Sequence, residues 1–160
     1  MSPAPIALSC GEPSGIGPEL AEATWEALRD SLPFFWIGAP GHLPGRVPHV
    51  IVDHPGEAVA ASARGLPVLA LDMPGPRVPG TPQPAQAAGV VAAIERGVAA
   101  CQSGEAAALC TLPISKQALA EGCGFAFPGH TEFLAHLGGV PEVVMMLACD
   151  ALKVVPVTIH

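Results

Sequence analysis

The sequence predicts a doubly wound α/β protein: a mostly parallel sheet between layers of helix, with an antiparallel hairpin appended at the end. Three observations lead there. Short apolar runs alternate with stretches of helical periodicity along the whole chain. Half of the 160 residues are apolar, and the excess lies in Ala, Gly and Val rather than in aromatics, with no Tyr at all, which suits close packing of helices on a sheet. The last two apolar runs are separated by only two residues, Asp150 and Ala151, too few for a crossover between parallel strands.

The first strand is "IALSC" (6–10), a short apolar run that ends in a glycine-rich loop. "PELAEATWEALRD" (18–30) follows as a helix. Pro18 fits its first position, where a missing N–H costs nothing. Glu19 and Glu22 lie in the early turns, where the positive end of the helix dipole favours them. Leu20, Trp25, Ala27 and Leu28 supply its apolar surface. "FFWIG" (34–38) is the second strand, and residues 39–56 read as loop around a short strand at "HVIVD". "GEAVAASARG" is a short helix and "LPVLALD" (66–72) a strand.

The proline-dense segment 73–86, "MPGPRVPGTPQPAQ", is too long and irregular for a tight turn, and is either a linker or a loop crossing a functional face. "AQAAGVVAAIERGVAACQSG" (85–104) is the longest helix, closed by Gly104. "AAALCT" (106–111) reads as a buried strand. "ISKQALAEG" is a short helix stopped at Gly122, and "HTEFLAHLGG" (130–139) is another. "VVMMLAC" and "LKVVPVTI" form the hairpin, with Pro156 forcing its strand to an edge or a bulge.

Charge and cysteine content narrow the function. A net charge of −7, with 7 basic residues against 14 acidic ones, argues against nucleic acid and anionic membrane as partners. No apolar run reaches the roughly 18 residues of a membrane span. The N-terminus lacks the basic and apolar regions of a signal peptide, so a cytoplasmic protein is expected. Charged residues make up 13% of the chain, about half the usual share, which suggests surface covered by a partner subunit or by further chain. Cys10, Cys101, Cys110, Cys123 and Cys149 are scattered, without a C-x-x-C pair. They read as small core residues rather than as disulfides, zinc ligands or catalytic thiols.

Four places carry candidate chemistry. "SCGEPSGIGPE" (9–19) has the layout strand, glycines, helix start, which is equally an anion-binding loop or a tight connection without ligand. It is neither the dinucleotide fingerprint, since Leu20 stands three beyond Gly17, nor a P-loop, since no Gly-Lys-Ser/Thr follows. In "CTLPISK" (110–116), Thr111 ends a strand and Lys116 enters the first turn of a helix, against the dipole. That lysine either receives a phosphate or carboxylate or is simply solvated. In "FPGHTEF", His130 and Thr131 sit at a helix start, where they either bind a phosphate or polyol or serve as turn residue and helix cap. His160 follows the strand "VVPVTI", a position suited to a metal ligand, though catalytic zinc usually takes three protein ligands. His42, His49 and His54 read as solvent-facing loop residues, and His136 as a surface or half-buried helix residue.

In this order, "GEPSGIGPEL", "CTLPISKQAL", "FPGHTEFLA", "VVMMLA" and "VPVTIH" resemble the 4-hydroxythreonine-4-phosphate dehydrogenase family of pyridoxal phosphate biosynthesis. The resemblance runs over all 160 residues and covers about the first half of a typical member, so residues 1–160 are expected to be the N-terminal portion of a larger dehydrogenase whose remainder is absent. It implies a three-layer fold of the isocitrate/isopropylmalate dehydrogenase type, which accounts for the missing dinucleotide fingerprint. It implies that His130 and Thr131 contact the phosphorylated hydroxy amino acid substrate, with Lys116 beside them, and that His160 is one of three histidines on a divalent metal. Zinc is the first expectation for that metal, with magnesium or cobalt as alternatives. It implies NAD or NADP as oxidant and a homodimer with a shared active site. The reaction implied is oxidation of 4-phosphooxy-L-threonine to 2-amino-3-oxo-4-phosphooxybutanoate, which decarboxylates to 3-amino-2-oxopropyl phosphate. The 160-residue chain by itself is expected to be inactive. Sister reactions in the same frame, on a four-carbon sugar-acid phosphate or an aromatic dihydrodiol, and a non-catalytic metabolite-binding role are the alternatives. Glu12 departs from the family pattern, which has Asp there, by one methylene.

Overall fold

The computed structural model describes residues 4–157. His160 therefore lies outside the described residues. The chain divides into two compact units, Met1–Ala126 and Phe127–His160.

The first unit is built on five parallel strands, β1 (Ile6–Ser9), β2 (Phe34–Gly38), β3 (His49–Val52), β4 (Leu66–Ala70) and β5 (Ala108–Thr111), in the order β3-β4-β2-β1-β5. The order follows burial. β2 is buried at every position, as a strand with neighbours on both edges and helices on both faces must be. Trp36, Phe35 and Ile37 are fully enclosed, each contributing about 1.5–3 kcal/mol of transfer free energy. The outer strands β3 and β5 alternate in exposure instead.

Helix α1 (Gly17–Leu28) connects β1 to β2 and buries Ala21 and Trp25, while the Trp25 indole N–H donates to the Ser62 carbonyl in α2 (Ala58–Ser62). Helix α3 (Ala87–Ser103) connects β4 to β5 and ends in left-handed Gly104, as expected from sequence. It buries Val90, Ala93, Ile94 and Gly97. Gly97 lets the Leu109 side chain of β5 lie close, since an added Cβ would stand 2.6 Å from a Leu109 methyl and the leucine would have to shift. Leu109 and Ala7 share a register position, whereas Ile6, Leu8 and Cys110 alternate to the face that α1 flanks.

Several expectations are corrected. α1 stops at Leu28, two residues early, and leaves Leu20 and Leu28 partly exposed. β5 is an edge strand with exposed Ala108 and Cys110, not a buried one. Only Cys10 is a core cysteine; Cys101 is half-buried and Cys110, Cys123 and Cys149 are exposed. Burial pushes the Cys10 thiol up to about 12, so it is inert as a nucleophile. Helix α4 (Lys116–Cys123) runs through Gly122 and is closed by left-handed Gly124. Gly122 serves close approach instead, since a Cβ there would lie 1.9 Å from the Pro84 carbonyl oxygen.

Glu22 on α1 is buried and takes a two-pronged contact from the Arg46 guanidinium, at 2.5 and 2.9 Å. The hydrogen bond from Arg46 holds the Glu22 carboxyl below its ordinary value. A carboxylate whose folded pKa is depressed stabilises the fold above its unfolded pKa, about 4.3, and loses that contribution as pH falls through the lower folded value. Glu22→Gln is therefore expected to lower the urea midpoint at pH 7 and to converge with the unsubstituted chain in acid. A constant offset at all pH values would rule the pair out as the cause.

In the second unit, helix α5 (His130–Gly138) is followed by a short hairpin, β6 (Leu147–Ala148) with β7 (Lys153–Val154). The turn closes with Cys149 and Leu152 exchanging backbone hydrogen bonds around Asp150 and Ala151. The strands are two residues each, so Pro156 falls beyond β7. Among the described residues no helix is long and apolar enough to cross a membrane.

Candidate functional site

Parallel strands put their carboxyl ends on one side of the sheet, and ligands of doubly wound folds sit where the strand order reverses. Here that point lies between β1 and β5: α1 leads away from β1 to β2, and α3 brings the chain back to β5 on the far side of β1. Two segments far apart in sequence, 9–19 and 110–116, thus become neighbours. The Glu12 N–H donates to the Pro113 carbonyl at 2.8 Å. Gly11, at φ +64°, lies so close that a Cβ would stand 2.5 Å from the same oxygen.

The glycine segment is a packed connection more than an open cradle. Glu12, the residue that departs from the family pattern, is buried, and its carboxylate turns back to accept from the Ser14 N–H at 3.1 Å. The Gly15 N–H donates to the Glu12 carbonyl. Gly17 abuts Cys10, whose carbonyl oxygen would be 2.3 Å from an added Cβ. Donors spent within the loop are not offered to an anion, so of the two readings of 9–19 the ligand-free connection is favoured.

The proline-dense segment crosses these strand ends as a strap. The Gly80 N–H donates to the Ser14 carbonyl, and Arg77 donates to Glu19 Oε1 at 2.6 Å. Buried Gln86 donates through Nε2 to the carbonyls of Pro74 and Pro76, and His42 Nε2 meets the Gly75 carbonyl at 2.9 Å. A proline-dense segment has few N–H groups with which to build regular backbone pairing, and Gln86 and His42 supply side-chain partners to three of its carbonyls. His42 is thus a buried structural residue rather than a solvent-facing one. No periodicity in the sequence marks it, and its only signal is a histidine beside a glycine-proline segment. His49 is on β3 and exposed; His54 is exposed and pairs with Glu105 at 2.8 Å.

Lys116 is the first residue of α4 and is exposed. Ser115 caps the helix by accepting from the Ala118 N–H. Lys116 makes no ion pair among the described residues, which leaves its charge available beyond the end of β5.

In the second unit, Gly129 is the N-cap of α5, with His130 and Thr131 its first two residues. The expectation of Thr131 as the helix cap is corrected, because Gly129, in extended conformation, takes that place. Phe127 packs on Phe133 and His136, ring centroids 5.1 Å apart in each case. A hydrophobic contact between the approach to a helix and its second turn fixes the entry angle of the chain. His130 is half-buried, and desolvation holds its imidazole below the usual histidine range. Its Nε2 is enclosed and has no hydrogen-bond partner among the described residues. A neutral imidazole, a hydroxyl and the first N–H groups of a helix are thus all carried by the first turn of α5, at the positive end of its dipole, which favours an anion.

Among the described residues no three of His, Cys, Asp and Glu come together to hold a metal ion. The described part does not by itself fit a metal centre.

Fold and site define a doubly wound α/β protein with its candidate anion-binding residues on the strand-end loop 112–116 and at the start of α5. The chain belongs to the family of the pyridoxal phosphate biosynthetic protein PdxA, whose model matches residues 37–160. It is 57% identical over 159 residues to the 4-hydroxythreonine-4-phosphate dehydrogenase of Ruegeria sp., covering 99% of this chain and 49% of that protein. It is 52% identical to the enzyme of the same name from Roseobacter denitrificans, covering 50% of it. The crystal structure of the 4-hydroxythreonine-4-phosphate dehydrogenase of Klebsiella pneumoniae superposes with a TM-score of 0.81 at 31% identity, over 95% of this chain and 50% of that one. The chain spans about half the length of the relatives it matches.

Proposed function

We propose that the chain supplies the phosphate-anchoring part of a 4-hydroxythreonine-4-phosphate dehydrogenase, as the N-terminal portion of a larger catalytic unit that works as a homodimer. The observation that carries this reading is the start of α5, where the enclosed Nε2 of His130 has no hydrogen-bond partner among the described residues and Thr131 follows it in the first turn. The relatives act, by their names, on a phosphorylated hydroxythreonine. In such a molecule the phosphate is the strongest handle.

A phosphate dianion arriving at the α5 N-terminus would take hydrogen bonds from the helix N–H groups, from Thr131 and from His130. His130 is held neutral by desolvation before the ligand arrives. The incoming negative charge favours its protonated form, so binding is coupled to proton uptake. With the phosphate anchored, NAD or NADP, when bound, would accept the hydride of the carbinol carbon while the hydroxyl proton leaves to solvent. The product is a ketone β to a carboxylate, a geometry that loses CO2 readily. A divalent cation, zinc first and magnesium or cobalt otherwise, would supply Lewis acidity toward the substrate hydroxyl. His160 is the residue of this chain that the family pattern offers to it.

The test is NAD(P) reduction with 4-phosphooxy-L-threonine. The 160-residue chain alone is expected to be inactive. Joined in frame to the half of the Ruegeria protein that the match leaves uncovered, it is expected to turn over. In that fusion His130→Ala should raise KM by about 10- to 100-fold, the worth of one hydrogen bond to a charged group. An unchanged KM for the phosphorylated substrate would remove His130 from the site.

A further inference from the structure

The strap across the strand ends is held firmly at both ends and weakly in the middle. Met73 is buried, and its side chain lies against Gly89 of α3, where an added Cβ would stand 2.6 Å from Met73 Cγ. Buried Gln86 and His42 hold the carbonyls of Pro74, Gly75 and Pro76. At the far end Pro84–Gln86 form a short helical turn that leads into α3. Between these anchors residues 77–82 are exposed, apart from a half-buried Arg77. Val78 is itself 43% exposed, so little apolar burial holds the stretch down.

The middle is nonetheless shaped in advance. Pro79 and Gly80 are the central residues of a tight turn, closed by the Thr81 N–H donating to the Val78 carbonyl at 2.9 Å. Gly80 has φ +79°, as a type II turn requires at that place. With its own closing hydrogen bond, the turn can move as one piece.

Two polar ties dock it on the glycine segment and the start of α1. The Gly80 N–H donates to the Ser14 carbonyl at 2.8 Å, and Arg77 Nη2 donates to Glu19 Oε1 at 2.6 Å. A longer contact, 3.5 Å, joins Arg77 Nη1 to the His42 carbonyl. These ties hold weakly. The Glu19 side chain is 48% exposed, where an ion pair contributes little, and water readily replaces a lost backbone hydrogen bond. Docking also carries a penalty, because Arg77 Nε is enclosed with no hydrogen-bond partner among the described residues. Glu19 acts electrostatically on Arg46 as well, so release of Arg77 does not strand the carboxylate.

We infer that residues 77–82 are a flap, latched over the carboxyl end of β1 by the Arg77–Glu19 pair, that lifts while the sheet stays folded. Lifting uncovers the Ser14 carbonyl and the start of α1, where the strand order reverses, so the flap governs access to segment 9–19. The inference does not depend on the reaction or on the α5 site.

Trypsin reads the flap directly, because Arg77 is one of its cleavage sites. The docked Arg77 side chain is 12% exposed, and cleavage needs the local chain to open. Cleavage after Arg96, inside α3, reports global unfolding. Both are followed by mass spectrometry in the 160-residue chain, at urea concentrations below the midpoint. Cleavage at Arg77 is expected to outpace Arg96 by about tenfold or more and to stay nearly flat with urea, since a small opening exposes little surface. Glu19→Gln should speed Arg77 cleavage by about two- to fivefold, the worth of an exposed ion pair, with Arg96 unchanged. Raising NaCl from about 0.05 to about 0.5 M should speed it in the unsubstituted chain and not in Glu19→Gln. Arg77 cleavage that shares the rate and urea dependence of Arg96 overturns the inference. So does Arg77 cleavage that neither Glu19→Gln nor salt changes, since the pair would then not be the latch.

Discussion

Gly122→Ala is expected to destabilise the chain by about 3 kcal/mol, although inside a helix Ala is normally better than Gly by about 1 kcal/mol. The reversal comes from the neighbour. A Cβ at this position of α4 would stand 1.9 Å from the Pro84 carbonyl oxygen, 2.6 Å from its carbon and 2.7 Å from the Ala87 Cβ. Two of these atoms are backbone, which no rotamer change can move. Relief requires α4 to withdraw from the turn that starts α3, and overpacking of this kind costs about 1–3 kcal/mol or more on top of the lost propensity gain. Gly124→Ala is the informative control. Its glycine is left-handed, at φ +67°, with open space around it, so the cost is conformational only, about 1–2 kcal/mol. Urea midpoints at constant m-value measure both. If Gly122→Ala is the milder of the two, or stabilises, the close approach of α4 to Pro84 is wrong.

That glycine also shows where sequence reading stops. Every strand and helix of the sheet unit is visible as a local pattern, because periodicity and punctuation by Gly and Pro are properties of neighbouring residues. Which glycine ends α4 is not local. Gly122 and Gly124 both fit a C-cap, and only the proximity of Pro84 separates them. β5 fails for the same reason. "AAALCT" reads as a buried strand, and its exposure follows from standing last in the strand order, which no window of sequence contains. Cys110 then follows β5 to the surface, and Cys101 and Cys123 lie near the ends of α3 and α4. His42 is the converse case, a polar loop residue drawn inside because the strap needs a partner for the Gly75 carbonyl.

For the candidate site, the motif residues were readable and their grouping was not. Segments 9–19 and 110–116 meet only because β1 and β5 are adjacent. That adjacency leaves the two segments in different surroundings. The first segment spends its donors on itself and on Pro113, while the second leaves Lys116 at the sheet's carboxyl edge. At α5, the identity of the N-cap decides the chemistry. With Gly129 as cap, Thr131 falls inside the first turn and not at the cap, a distinction the order of residues in "PGHTEF" leaves open.

Trp36 is where the largest loss is expected. It sits in the central strand between Leu8 of β1 and Val68 of β4, fully buried. Trp36→Ala should cost about 3–5 kcal/mol, enough to threaten a domain stabilised by about 5–15 kcal/mol. Trp36→Phe should cost far less. The indole N–H is enclosed without a partner among the described residues, and an unsatisfied buried donor carries a penalty of about 1–3 kcal/mol that the phenyl ring escapes. The two rings also differ at Gly38. A Cβ there would lie 2.7 and 2.8 Å from Cη2 and Cζ2 of Trp36, and 2.8 Å from the Cys10 Cβ. Gly38→Ala is therefore expected to be costly beside tryptophan and cheaper beside phenylalanine, with a remainder set by Cys10. A double-mutant cycle reads that coupling directly. Equal costs for Gly38→Ala in the two backgrounds would show that the indole does not occupy the space above Gly38, and the packing assigned to the centre of the sheet would fall with it.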